Sequence, residues 1–296
     1  MKKLLTLLAV TIVFFVNAQV THTGTTNTGS YSSAIGTYTT ASAGAAFASG
    51  RDTKATGEYS RAMGYLTEAN GLSSTAMGRG SQAIGNFSTA MGYDSDANGD
   101  TSTAMGQYSN ANGDFSTAMG RSSNANDYSS LVIGYFNLSG NTVTGSATSP
   151  KSANTAFVIG NGTYAKRSDA FKVMANGDTT VSNDLTLGND LTVGGDVVVS
   201  SDARLKANIV SLGSTLAKLL LIDGKTYTMK KDGKQKIGVL AQDIQKVFPE
   251  LVTTGDKDML AVNYQGLVPV LINAIKEQDN KISRLESLVE KLISDN

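Results

Sequence analysis

The sequence predicts a mainly β protein, in which a β-solenoid head and a β-fibre neck precede a small α+β domain that ends in a coiled-coil helix. Three observations predict this order. Glycine recurs at every fourteenth position in the first half of the chain, aspartate then recurs at every sixth, and apolar residues recur at every seventh near the C-terminus. Repeats of fixed length indicate units that are stabilised by their neighbours or by another copy of the chain.

Residues 1–18 have the composition of a secretory signal peptide. Two lysines supply the positive charge, an apolar run follows, and small residues ending at Ala18 fit a cleavage site. The apolar run is shorter than the roughly 20 residues of a membrane span. We therefore expect export, removal of this segment and no stable membrane span afterwards, with a retained N-terminal anchor as the alternative. Residues 19–29 are expected to be flexible.

Composition excludes several kinds of functional site. The chain has no Cys and a single His, His22, which excludes thiolate and paired-histidine metal sites and argues against a Ser–His–Asp triad. Lys+Arg and Asp+Glu both number 25, so nothing indicates binding to nucleic acid. No cofactor is expected, and Lys or a carboxylate would have to supply any acid–base chemistry.

The head is predicted over residues 30–136, where each unit has two halves of seven residues, as in YSNANGD followed by FSTAMGR. One set of glycines, which occupies every fourteenth position, comprises Gly36, Gly50, Gly64, Gly78, Gly92, Gly106, Gly120 and Gly134. A second set falls midway and comprises Gly57, Gly71, Gly85, Gly99 and Gly113, with Asp127 in the next slot. A turn every seven residues leaves room for one short strand between turns, so each unit is expected to form one coil of a solenoid.

Side-chain alternation predicts two ladders along the stacked coils. In the segment STAMG, Thr and Met lie on one face of the strand and Ala lies on the other. The methionine ladder comprises Met77, Met91, Met105 and Met119, and the alanine ladder comprises Ala76, Ala90, Ala104 and Ala118. One ladder is expected to fill the coil interior, and the other suits the close approach of a neighbouring chain.

The alternation of S-x-A-x-G with S-T-A-M-G resembles the head repeats of the YadA-type trimeric autotransporter adhesins. The resemblance implies a left-handed parallel β-roll that associates as a trimer, with host or surface ligands as candidate partners of the head. Residues 137–177 follow as an insert with degenerate final repeats, one of them at residues 154–162.

Residues 178–200 are predicted to form a β neck. The units begin at aspartates that occupy every sixth position: Asp178, Asp184, Asp190, Asp196 and Asp202. Alternating β-branched and Leu residues between Asn, Gly and Ser predict short strands. Ser201 fills the last slot of one unit and Asp202 opens the next, so the following segment begins in register with the repeat.

Residues 201–296 change to a charged, glycine-poor composition and predict a separate domain. The elements expected in it are a helix at 214–222, strands at 225–229 and 235–241, a helix at 241–248 stopped by Pro249, a hairpin around Gly255 and a long helix at about 266–293.

The last helix carries a heptad pattern. Its two seam positions are Val268, Ile275, Ile282 and Val289, and Leu271, Gln278, Leu285 and Leu292. An a/d seam with one polar layer, at Gln278, favours a self-associating coiled coil. Packing of the helix on its own domain, which would need a broader apolar stripe, is the alternative.

Three segments of this domain, SDARLKANI, IGVLAQDIQKVFPELV and AVNYQGLVPVLINAIKEQ, resemble in order the peptidase S74 domain, the C-terminal intramolecular chaperone of endosialidases and other phage tail fibres. The resemblance implies a domain that trimerises, templates the fibre ahead of it and is then released by its own Ser–Lys dyad. At the matching positions Ser201 would be the nucleophile and Lys206 the general base, with cleavage between Ser200 and Ser201. Asp202 and Arg204 complete the S-D-x-R-L-K core and would position the turn.

The spacing of Ser201 and Lys206 does not by itself indicate a catalytic pair. A serine hydroxyl needs a base to become a good nucleophile. A lysine acts as that base only when it is neutral, which requires removal from water or a nearby cation. Without the resemblance, the two are an ordinary Ser and Lys at a domain junction.

The sequence therefore predicts an exported, secreted or cell-surface, adhesin-like homotrimeric fibre, with a self-cleaving serine endopeptidase that acts once and has no external substrate. One alternative is a permanent trimeric cap that does not cleave. Another is a ligand-binding solenoid: the Thr of each STAMG is typical of ice-binding surfaces, and the recurring NGD of calcium-binding repeats. One Thr per coil gives only a single file, however, and the full calcium-binding nonapeptide is missing.

Overall fold

The computed structural model describes residues 23–187, 191–255 and 258–295. The predicted signal peptide at 1–18 and the single histidine, His22, lie outside the described residues. The chain divides into two compact units, Met1–Leu191 and Thr192–Asn296.

The first unit contains two sheets between which the chain alternates, so that each coil contributes one long and one short strand. The long strands are Ser33–Thr37, Phe47–Arg51, Arg61–Tyr65, Thr75–Arg79, Thr89–Tyr93, Thr103–Gln107, Thr117–Arg121 and Leu131–Tyr135. The short strands are Thr26–Asn27, Thr40–Ala41, Lys54–Ala55, Glu68–Ala69, Gln82–Ala83, Asp96–Ala97, Asn110–Ala111 and Asn124–Ala125. Equivalent residues of successive coils pair in parallel, for example Met91 with Met105, which confirms the predicted β-solenoid.

Alanine fills the interior of the coils. Ala76, Ala90, Ala104 and Ala118 are fully buried. The methionines of the same strands lie on the outer face, where they are half-buried or, at Met119, exposed. The short strands also bury alanines, such as Ala83 and Ala97. Because the residues that face inward on both sheets are small, methionine is left on the outside.

The two glycine sets are required for different reasons. Gly92 has φ +127°, and a Cβ there would lie 2.0 Å from the carbonyl oxygen of Gly106. Gly85 has no positive φ, but a Cβ there would also lie 2.0 Å from a carbonyl oxygen, that of Gly99. The first set therefore combines an unusual backbone conformation with close approach of the next coil, and the second set needs only the close approach.

The coil stack continues beyond the regular repeats. Strand Thr155–Asn161 pairs in parallel with Leu131–Tyr135, so the segment between them is an insertion that does not break the stack. Strands Asp169–Met174 and Thr179–Val181 then pair antiparallel and close the sheet.

Asp127, which stands in a glycine slot, organises this insertion. Its buried carboxylate accepts backbone N–H bonds from Thr144 at 2.7 Å and Thr155 at 2.8 Å, and it also accepts the Thr144 hydroxyl. Burial raises the pKa of the Asp127 carboxyl, but the hydrogen bonds from Thr144 and Thr155 outweigh it and hold the pKa below its usual value.

Replacing Asp127 with alanine is expected to destabilise the head by about 3 kcal/mol, because the buried Thr155 N–H and the partly buried Thr144 N–H lose their acceptor. The folded-state pKa of Asp127 lies below the ordinary value of 3.8, so its contribution is present above that pH and is lost as pH falls through the folded-state value. Urea unfolding of wild type and Asp127→Ala should therefore differ at neutral pH and converge at strongly acidic pH. An equal difference at every pH would contradict the ionised role.

At the start of the predicted neck, residues Thr179–Val181 form a strand that pairs with the head strand Asp169–Met174, but the described residues 182–187 and 191–200 form no strand. Its exposed apolar side chains are Leu185, Leu187, Leu191, Val193, Val197, Val198 and Val199. A strand needs a neighbour for its backbone hydrogen bonds, and a single chain supplies none here. The β neck therefore stays a prediction, one that concerns an assembly of chains.

The second unit has the α+β composition that the sequence predicts. Its helices are α1 (Leu216–Leu219), α2 (Ala241–Val247) and α3 (Leu267–Ser294), its hairpins pair Lys225–Thr228 with Gln235–Gly238 and Val252–Thr254 with Leu260–Val262, and its 3-10 turns are Ala203–Leu205 and Pro249–Leu251. Helix α1 is shorter than the predicted helix at 214–222. The core comprises Ile244, Phe248, Leu251 and Val270.

Helix α3 has two distinct apolar faces. Val270 and Ala274 are buried in their own domain. The seam residues Val268, Leu271, Ile275, Ile282, Leu285, Val289 and Leu292 are exposed. These seam residues are not part of the buried core of the domain, and their coiled-coil pairing stays a prediction.

None of the helices in the described ranges is long and apolar enough to cross a membrane.

Candidate functional site

A local turn brings the predicted dyad together. Asp202 caps the 3-10 turn Ala203–Leu205 and accepts a hydrogen bond from the Arg204 backbone N–H at 2.8 Å. The Lys206 N–H then donates to the Ala203 carbonyl at 3.1 Å. This reversal returns the Lys206 side chain to Ser201, where Nζ donates to Oγ at 2.7 Å.

Asp202 and Arg204 form an ion pair within the same turn. The Arg204 guanidinium donates to both carboxylate oxygens of Asp202, from Nη2 at 2.6 Å and from Nε at 3.0 and 3.1 Å. The Arg204 side chain, and then its backbone N–H, hold the pKa of Asp202 below its usual value. The carboxylate is therefore occupied by Arg204, which suits a residue that shapes the turn better than one that moves protons.

The dyad and the predicted scissile bond are exposed in a single chain. Ser200, Ser201 and Lys206 all lie at the surface, and the lysine is the donor of the hydrogen bond between the dyad residues. The contact that proton transfer would need is present, but in a single chain it is open to solvent.

Glu277 of α3 anchors the segment that follows the dyad. Its carboxylate accepts the Ser214 hydroxyl at 2.6 Å and the backbone N–H groups of Thr215 and Leu216. The hydrogen bond from the Ser214 hydroxyl lowers the pKa of Glu277 most, and the hydrogen bond from the Thr215 N–H lowers it further. Sequence reasoning missed this contact, because Glu277 is far from Ser214 in the sequence and looks like a solvated position beside the heptad seam.

Within 23–187, 191–255 and 258–295, no group of three or more His, Asp or Glu side chains could hold a metal ion. The NGD repeats, which are typical of calcium-binding sequences, stack Asp100 and Asp114 on neighbouring coils, where the Asp114 carboxylate accepts the Asp100 N–H at 2.9 Å, but they form no group of three in these ranges.

Two family models match the chain. Four segments in two overlapping pairs, 55–81 with 69–95 and 97–123 with 111–137, match the YadA head domain repeat. Residues 201–253 match the family described as the chaperone of endosialidase. These matches confirm both resemblances, and the second begins at Ser201 and includes Lys206.

A curated relative points to a fibre as well. The long tail fiber protein Gp37 of Escherichia phage AR1 is 38% identical over 85 residues, which is 25% of this chain and 8% of that protein. The chain thus spans only a small part of the relative's length, and the similarity concerns that part alone.

Proposed function

We propose that this protein is an exported trimeric fibre whose C-terminal domain aligns three chains, helps the β-structured head and neck to fold, and then cuts itself off between Ser200 and Ser201. The contact of 2.7 Å between Lys206 Nζ and Ser201 Oγ, at the start of the chaperone match, carries the proposal. The head matches and the tail fiber relative support the fibre, and the signal-like sequence of residues 1–18 supports export to the outside or the cell surface.

The cleavage is a single turnover within one chain. Ser201 Oγ attacks the carbonyl carbon of Ser200 while its proton passes to Lys206 Nζ. The peptide C–N bond then breaks, and the nitrogen of Ser201 leaves with the proton that Lys206 returns. The resulting ester joins the Ser200 carbonyl to Ser201 Oγ, and water hydrolyses it to a carboxylate at Ser200 and a free hydroxyl at Ser201.

Assembly of three chains would exclude water from the dyad and supply oxyanion donors, which a single chain does not do. The dyad is flanked by exposed apolar side chains on both sides, including Val198, Leu205, Ile209 and Val210. Burying these side chains between three chains would also withdraw the lysine amine from water and favour its neutral form. Neighbouring chains could further supply hydrogen-bond donors for the oxyanion. Cleavage would therefore follow assembly rather than precede it.

A chaperone addresses a specific hazard of this head. Neighbouring coils present nearly the same residues at each register position, such as Ala90 against Ala104 and Gly92 against Gly106. A slip between chains by one whole coil therefore changes few contacts, and non-local β-structure forms slowly. A domain that aligns three chains removes this ambiguity, and its release leaves a fibre that unfolds slowly.

The test is the intact mass and the oligomeric state of the expressed full chain. We expect a trimeric fibre that ends at Ser200 and a separate fragment of residues 201–296. A trimer of uncut chains would show a permanent cap and would contradict the cleavage. An uncut or cut monomer would contradict the role in assembly.

A further inference from the structure

One turn edge of the head carries large aromatic rings on every second coil. The turn residue two positions before each long strand has a positive φ on every coil. On alternate coils this residue is Tyr31, Tyr59, Phe87 and Phe115, which together are called the ring row. On the coils between, it is Ala45, Ser73, Thr101 and Ser129. A period of two coils is thus superimposed on the repeat of one coil.

Backbone hydrogen bonds fix the spacing of the ring row. From Ala45 onward, each of these turn residues donates its N–H to a carbonyl of the preceding coil, as Phe87 does to Leu72 and Thr101 does to Asn86, both at 2.7 Å. The coils therefore rise by one strand spacing, ~4.8 Å, and the rings recur every ~9.6 Å. The four rings extend over roughly 29 Å along the stack.

The rings project into solvent. Tyr31, Tyr59, Phe87 and Phe115 are 97%, 54%, 58% and 52% exposed, respectively. No ring or cation covers the first three in the part of the chain that the structure describes, and Phe115 meets one ring, Tyr128, edge-on.

At the C-terminal ends of the long strands, by contrast, aromatic rings have partners within the fold. There Tyr65 and Tyr93 lie against the guanidinium of Arg79, which is 5.6 and 5.2 Å from the ring centroids. Those rings are partnered within the fold, whereas the ring row leaves its apolar faces free.

The ring row also occupies a costly backbone position. A residue other than glycine with positive φ costs about 1–2 kcal/mol, and the values are 57° at Tyr59 and 58° at Phe87. A smaller residue fills the same position on the coils between, so the fold does not require a ring there. Because the residues on the coils between share this positive φ, the strain belongs to the turn, and it is the exposed apolar rings, which the fold does not require, that indicate a binding surface.

We propose that the ring row binds an extended β-1,4-linked polysaccharide. The apolar face of a pyranose sugar stacks on an aromatic ring, and a chain of this linkage presents equivalent faces at every second sugar. Its two-sugar repeat is close to the two-coil spacing of ~9.6 Å. Four rings span three such repeats, so a chain of seven sugars would contact all four rings and a hexasaccharide would contact three of them.

The residues beside the rings fit sugar hydroxyls and disfavour nucleic acid. Glu58, Asn86 and Asp114 directly precede three of the four rings in the sequence. Asn86 Oδ1 accepts the Leu72 N–H at 3.0 Å and Asp114 Oδ1 accepts the Asp100 N–H at 2.9 Å. The groups left for sugar hydroxyls are therefore the Glu58 carboxylate, the second carboxylate oxygen of Asp114 and the amide N–H groups of Asn86. Anionic phosphates would instead require basic residues at this edge. The proposal goes beyond the fibre function, because it concerns the head alone and holds whether or not the C-terminal domain is released.

Calorimetric titration of the full chain tests the proposal with three soluble probes. Cellohexaose and chitohexaose have β-1,4 linkages, and maltohexaose is the α-1,4-linked control. We expect one or both β-linked probes to bind and maltohexaose not to bind. The double variant Tyr59→Ala with Phe87→Ala should weaken binding at least about tenfold, whereas Tyr65→Ala, which removes a partnered ring, should leave it unchanged.

A phase-shifted variant separates periodic recognition from simple stickiness. Phe87→Thr combined with Thr101→Phe keeps the number of rings but breaks the two-coil spacing, and Thr101 has a positive φ of 57°, like its neighbours in the row. Weakening as strong as in the double alanine variant supports the proposal. Wild-type binding by the phase-shifted variant overturns it, as does failure of both β-linked probes or equal binding of maltohexaose. Loss of the wild-type oligomeric state in the double alanine variant also overturns it, because the row would then be a contact between copies of the chain.

Discussion

Replacing Ser201 with alanine is expected to leave the chain uncut, and replacing Lys206 with methionine is expected to slow cleavage by at least about 10³-fold. The first change removes the oxygen that forms the ester. The second keeps an unbranched side chain as far as Cε but removes the nitrogen that lies 2.7 Å from Ser201 Oγ. Intact mass and gel analysis of the purified protein over time report the fraction cut.

Two further variants make this result specific. Lys206→Arg keeps the positive charge and the donor, but a guanidinium is not deprotonated in proteins, so we expect it to remain uncut. Ser200→Ala changes the residue before the scissile bond while keeping its carbonyl group, and should be cut like the wild type. Each variant must first be shown to have the oligomeric state of the wild type, since assembly is the proposed trigger. Cleavage of Ser201→Ala at the same bond would remove the dyad from the mechanism.

Replacing Gly92 with alanine is expected to destabilise the head by about 4 kcal/mol. Its φ of +127° disfavours any side chain, and the new Cβ would lie 2.0 Å from the Gly106 carbonyl oxygen. Backbone on both sides prevents an easy adjustment, because the next coil is held by the same ladder of hydrogen bonds. Chemical unfolding followed by circular dichroism measures the loss.

Three other glycines separate the two causes. Gly85→Ala introduces the backbone clash without a positive φ. Gly177→Ala introduces a positive φ of 93° with nothing within 4 Å, and Gly194→Ala introduces neither. The expected order of destabilisation is Gly92→Ala, Gly85→Ala, Gly177→Ala and Gly194→Ala. If Gly92→Ala were no worse than Gly177→Ala, close packing of the coils would not be what demands glycine.

Repeat length was enough to predict the head, because glycine positions and strand alternation are both local properties of each coil. The sequence left open which ladder faces inward. Ala90 and Met91 are both apolar, and the choice depends on how closely the opposite sheet approaches. The short strands bury alanine there, such as Ala97, and that places methionine outside. The role of Asp127 was equally hidden, because its partners Thr144 and Thr155 come from an insertion without a repeat.

The candidate site likewise contains contacts that the sequence predicts and contacts that it does not. Ser201 and Lys206 could be proposed from the sequence because one short turn, capped by Asp202, brings them together. The contact of Glu277 with Thr215 and Leu216 depends on how α3 packs, and no local pattern encodes it. The sequence does not predict the ring row for another reason. Its residues lie in turns, whereas the alternation of side chains between two faces applies only within strands.

The register of the coil stack has a consequence for how such a head can evolve. Because each coil pairs with the next at equivalent positions, duplicating one coil would lengthen the head and leave the strand pairing of all other coils unchanged. Duplicating one coil between Tyr59 and Phe87 would nevertheless interrupt the two-coil spacing of the rings, whereas duplicating two coils would preserve this spacing. The stretch of coils that carries the ring row would then change in length only by even numbers of coils, so the length of this stretch would record whether the row is under selection.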